Sequence, residues 1–134
     1  MSENGLVTVR CAGPVKETTD RLAGIVEAAG LTVFARVDHA AGAASAGMEL
    51  RPTELLIFGS PRGGTPLMQD RQTAGIDLPL KALVWEDADG TVRLTYNAAE
   101  WIGQRHGLGP DSRPAVENLA KALATLTGKA AALG

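Results

Sequence analysis

The order of patterns along this chain predicts an α+β fold: a two-layer sandwich, with helices packed on one face of a largely antiparallel sheet of about 4–5 strands. Three observations carry the prediction. Residues 14–29 and 112–127 each show a single apolar stripe at helical spacing, so each has one face to bury. Residues 6–12, 31–37 and 91–97 alternate in polarity, the period of a strand with one buried side. Leu55, Leu56, Ile57 and Phe58 form an unbroken apolar run, opened by Pro52 and closed by Gly59 and Pro61, which suits a strand at the centre of the sheet. A doubly wound parallel fold ranks second, because it needs more continuous apolar strands than 54–58 and 82–85.

In the first strand Val7, Val9 and Cys11 share one side. Cys11 therefore reads as a buried, inert thiol, since a reactive one needs a basic, exposed setting. Pro14 opens the first helix, where its missing N–H does no harm. Val15, Leu22, Ile25, Val26 and Ala29 form the apolar face, and Gly30 permits a left-handed exit. After the strand at 31–37, Asp38 is placed to cap a helix of small residues that runs toward Gly47. Thr65 and Pro66 repeat the cap-then-proline start and predict a short helix over 66–71. Residues 74–79 read as a loop anchored by Ile76 and Leu78. Asp87, Asp89 and Gly90 mark a hairpin turn between strands at 80–86 and 91–97. A helix over 98–106 stops at Gly107. Ser112 caps the last helix, whose stripe is Val116, Leu119, Leu123 and Leu126; Gly128 ends it, and 129–134 is expected to fray.

At 134 residues the chain reads as a single domain, 1–134, able to bury a core without disulfides or metal. With two Phe, two Trp and one Tyr, that core must be built from Leu, Val, Ile and Ala. A net charge of −2 gives no general pull toward nucleic acid or an anionic membrane. One cysteine excludes an intramolecular disulfide and a multi-Cys metal site. The opening residues are polar and acidic, unlike a secretory signal, and no apolar run approaches a membrane span. The expectation is a soluble cytoplasmic protein with no nucleic-acid or membrane partner.

Three places suit chemistry. Asp38 and His39, at a strand end, have the types of a general base and its orienting carboxylate, although a cap followed by an exposed His is far the commoner reason for such a pair, and adjacent strand residues point to opposite faces. His106 lies in the last turn of its helix, where the dipole favours a cation. His39 and His106, completed by Glu49, Asp77 or Glu86, have zinc-ligand types but no short ligand spacing, so no metal or cofactor is expected. The stretch Gly59–Thr65 reads as a Gly-rich turn before a helix, with Arg62 adding positive charge, and suits an anion or small ligand held by Phe58, Gly59, Arg62, Gly64 and Thr65. Thr65 as a cap and the glycines as turn formers explain the same residues without a ligand. Trp85, Tyr96 and Trp101 suit a pocket wall or, more simply, core packing.

Several motifs together resemble one family. They are Glu27–Gly30, Val37-Asp38-His39, Leu50 with Pro52 and Thr53, Phe58–Pro61, Gly64–Met68, Asp77–Leu80, Glu86-Asp87 and Tyr96-Asn97. The chain is similar over about residues 10–108 to the bacterial and archaeal domain of unknown function 302, which leaves the helix at 112–127 outside the resemblance. The resemblance implies a compact α+β domain that forms a homodimer, and it carries no activity or catalytic residue. The functional expectation is a homodimeric module that binds or senses a small ligand beside the strand at 54–61. Its alternatives are a small enzyme using Asp38, His39 or His106 for acid–base work, and a structural or accessory dimer without a ligand.

Overall fold

The computed structural model describes residues 4–132. Five strands, β1 (Leu6–Cys11), β2 (Thr32–Asp38), β3 (Thr53–Gly59), β4 (Leu80–Glu86) and β5 (Val92–Asn97), form one sheet in the order β1-β5-β4-β3-β2. Every neighbouring pair is antiparallel. The α+β sandwich expected from the patterns is the fold found. β4 and β5 form the expected hairpin. Its turn is held by Asp87, whose Oδ1 accepts the amides of Asp89 and Thr91 at 2.9 and 3.0 Å.

Helices α1 (Val15–Ala28) and α5 (Arg113–Ala132) cover one face of the sheet. Period-two alternation turns Leu56 and Phe58 of β3, Ala82 and Val84 of β4, and Leu94 of β5 toward them, and all five are fully buried. α1 answers with Val15, Leu22 and Val26. Thr18 and Thr19 are also wholly buried there; their hydroxyls donate to the carbonyls of Gly13 and Val15, so the polar atoms are satisfied inside the apolar stripe. Cys11 joins this core, and burial pushes its thiol pKa up against the opposing charge of Arg21. The thiol is buried, as expected.

Four local expectations need correction. The helix expected at 66–71 is α3, Pro61–Asp70, capped by Ser60 with Pro61 in the first turn and Pro66 inside. The 74–79 segment is largely a 3-10 helix, Gln72–Asp77, whose buried residues are Ala74 and Asp77, while the expected anchor Ile76 is 72% exposed. Ser112 does not spend its hydroxyl on its own helix but donates it to Asp70 at 2.7 Å. α5 does not end at Gly128: Ala130 and Ala131 are buried, and the carbonyl of Ala131 accepts the amide of Ala12 at 2.9 Å. Docking on β1 supplies the stability that the local sequence lacks. Residues 133–134 of the expected frayed tail lie outside the described residues.

Candidate functional site

β3, the strand next to the β2 edge, ends at a cavity of about 240 Å³. Its walls come from four directions: Phe34 on β2, Ser60 and Gly64 at the start of α3, Leu78 and Pro79 before β4, and Leu119 on α5. Nearly all of that lining is apolar. The location matches the expectation of a pocket beside 54–61, but its construction differs. Residues 61–65 are the opening turns of a helix, so Gly63 and Gly64 do not form a turn. The Ser60 side chain accepts the Arg62 amide at 3.2 Å, and the Ser60 carbonyl accepts those of Gly63 and Gly64. The amides that an anion would use are bonded within the helix. The glycines serve close approach: a Cβ on Gly63 would lie 3.0 Å from Leu119 Cδ2, and one on Gly64 3.4 Å from Leu78 Cδ1. Of the expected site residues, Gly59, Gly64 and Thr65 line the cavity, whereas Phe58 is buried in the core and Arg62 points elsewhere.

The histidines part company. His39 begins the short α2 (His39–Ser45), an exposed helix capped by Asp38, whose Oδ1 accepts the Ala41 amide at 2.9 Å. The Asp38 carboxylate is occupied by the backbone, and no His39–Asp38 dyad forms. His106 closes α4 (Ala99–His106) with a side chain only 7% exposed. Its Nε2 lies 2.6 Å from Asp77 Oδ2, and its Nδ1 lies 3.0 Å from Thr73 Oγ1. An Nε2–H donated to Asp77 leaves the neutral ring's Nδ1 to accept from the Thr73 hydroxyl. Arg105 Nη1 donates to both Asp77 oxygens at 2.9 and 3.1 Å, and its guanidinium sits 5.6 Å from the centre of the Trp101 ring. Thr73, Asp77 and His106 have the residue types of a nucleophile, an orienter and a base, but Thr73 is exposed and the cluster does not line the cavity. Its mechanical effect is plain: it ties the 3-10 segment to α4, and the next two residues, Leu78 and Pro79, are cavity wall. Asp70 makes a parallel tie, accepting the Gly109 amide and the Ser112 hydroxyl, which together hold its carboxyl pKa below the ordinary value.

Sequence reasoning missed both ties, because each joins residues roughly 30–40 positions apart without a local motif. The expected aromatic lining is also absent from this cavity. Trp85 faces the uncovered side of the sheet and donates its indole N–H to Thr95 at 2.9 Å. Tyr96 packs on the core, and Trp101 packs beneath Arg105. Among the described residues no three His, Cys, Asp or Glu side chains could hold a metal.

The chain belongs to the family described as "Domain of unknown function DUF302", whose model matches residues 7–126. That match takes in most of α5, beyond the 108 at which the motif resemblance stopped. A crystal structure of an uncharacterised conserved DUF302 protein from Bacillus stearothermophilus superposes with a TM-score of 0.72 and covers 95% of both chains; at 18% identity it speaks for the fold alone. Curated relatives carry a more particular name. "Fluoride-specific ion channel FluC 1" of Brucella suis biovar 1 (strain 1330) is 50% identical over 129 residues, which is 96% of this chain and 51% of that protein. "Fluoride-specific ion channel FluC 2" of Brucella melitensis biotype 1 is equally similar, over 48% of its length. The chain spans about half the length of the curated relatives it matches. Their name overturns the expected freestanding module that binds a small ligand.

Proposed function

We propose that this chain serves a fluoride channel as its domain outside the membrane, on the cytoplasmic side, without forming the ion path. The observation that carries the reading is the 50% identity to about half of proteins named as fluoride-specific channels. A second observation supports the division of labour. Among the described residues no helix is long and apolar enough to cross a membrane. α5, at 20 residues, has the length, but it carries Arg113, Glu117, Lys121 and Lys129 and packs as an amphipathic helix on the sheet. The sheet itself is open, with β1 and β2 as free ends.

A homodimer belongs to the same proposal. β2 is an edge strand exposed along nearly its whole length, and Phe34 on it is 53% exposed, which offers an edge for pairing with a second copy. Light scattering on the purified chain checks this, with twice the monomer mass expected.

The channel reading is tested in the Brucella suis relative. Its matched half is deleted, or replaced by this chain, and fluoride efflux from proteoliposomes is followed with a fluoride electrode. Deletion is expected to lower efflux or the yield of assembled channel, and replacement to restore it. Unchanged efflux and assembly after deletion, with no binding of this chain to the remaining half, would overturn the reading.

A further inference from the structure

The register sorts charge between the two faces of the sheet. On the face without α1 and α5, Val37 pairs with Leu55, Leu55 with Leu83, Leu83 with Thr95, and Thr95 with Thr8, giving a row across all five strands. The adjoining rows place Ile57 beside Lys81, and Trp85 beside Arg93, which in turn faces Arg10. The middle of this face is therefore apolar, and the charged strand residues on it are all cations. The acids turn the other way: Asp38 pairs with Glu54, on the side of Leu56 and Phe58, and Glu86 faces Val92 of the core. Arg93 is held by Asp87 at 2.8 Å, but Arg10 and Lys81 form no ion pair among the described residues. A chain of net charge −2 thus shows one face with an apolar centre and two unbalanced cations.

We propose that this open face docks on an anionic lipid surface. Charge complementarity selects the partner: cations around half-buried Leu, Ile and Trp match phosphate headgroups above hydrocarbon. A second copy is a poor occupant, because Lys81 lies on the central strand and stacking the face on itself opposes cation to cation. An acidic protein surface would satisfy the cations but leave the apolar middle unmatched. The net charge, which argued against membranes, averages over a surface that the fold has divided. The inference takes only its setting from the channel reading. Vesicle binding is measured without any channel, so its failure would leave that reading standing.

The test is sedimentation of the full chain with vesicles of phosphatidylglycerol and phosphatidylcholine, compared with phosphatidylcholine alone. Binding is expected on the anionic vesicles only, weakening as salt is raised. Removing both cations, R10Q with K81Q, is expected to weaken it about 25-fold, at about fivefold per cation. R113Q with K121Q, on the helical layer, makes the same change in net charge and is expected to leave binding intact. Circular dichroism confirms that both variants fold. Absence of binding to either vesicle, equal binding to both, or equal loss in the two variants would each overturn the proposal. So would self-association of the free chain that R10Q with K81Q abolishes.

Discussion

The two faces of the sheet obey different rules although the same strands make both. Toward α1 and α5, Leu56, Phe58, Ala82, Val84 and Leu94 are wholly enclosed, and a neighbour's volume fixes each one. On the opposite face Leu55, Ile57, Leu83 and Trp85 are half-buried, and Arg10 and Lys81 stand without ion pairs among the described residues. The lesson is that the covered face accounts for the fold and leaves the open face unexplained by it. An apolar middle ringed by unbalanced cations is only half used in packing, so a surface outside the chain is the natural place to look for its use.

The largest expected effect separates the faces directly. Leu56→Ala leaves a cavity in the enclosed layer and is expected to cost about 2–5 kcal/mol, whereas Leu83→Ala on the open face is expected to cost about 1 kcal/mol. Urea unfolding of both variants measures the difference, and equal losses would break the comparison. Next in size is Asp77→Ala. It strands His106, a side chain only 7% exposed, and frees Arg105, for an expected loss of about 2–3 kcal/mol. The cavity wall at Leu78 and Pro79 should loosen with it, which hydrogen exchange at the Leu78 amide would register.

A smaller effect is set by pH. Hydrogen bonds from Ser112 and Gly109 lower the Asp70 pKa, and those from Arg93, Thr91 and Asp89 lower that of Asp87. A carboxylate with a lowered folded pKa stabilises the fold above its unfolded value near 3.9, and the contribution fades as pH falls through the folded value. The urea midpoint is therefore expected to hold from neutral pH to about 4 and to drop below it. The drop should be shallower in D70N with D87N, and an unchanged drop would remove these ties from the explanation. The smallest effect concerns Cys11. Because burial raises its thiol pKa, it should resist a thiol reagent in the native chain and react once the chain unfolds.

What was legible in the sequence follows from the range of the interactions. Strand alternation, the Asp87–Gly90 turn, the Asp38 cap and the stripe of the last helix are local patterns, and each appears where the sequence put it. The start of α3 was misplaced because two cap-and-proline signals compete five residues apart, Ser60-Pro61 and Thr65-Pro66. Packing of Gly63 against Leu119 favours the earlier one. The end of α5 was cut short because Gly128 is a local stop, and only contact with β1 overrides it. For the site, the position of the cavity was legible from the exit of β3, but its apolar walls come from Phe34, Leu78 and Leu119, far apart in the chain. The basic face was hidden for the same reason. Arg10, Lys81 and Arg93 are scattered until the register aligns them.

The open face is the claim that most needs a direct reading, and lysine reactivity supplies it. The chain is acetylated briefly with and without anionic vesicles, and modification at each lysine is counted by mass spectrometry. Docking through the open face predicts that vesicles protect Lys81 and leave Lys121 on α5 as reactive as before. Protection of Lys121 with Lys81 unchanged would show that the covered side meets the membrane, and the division of labour between the two faces would be wrong.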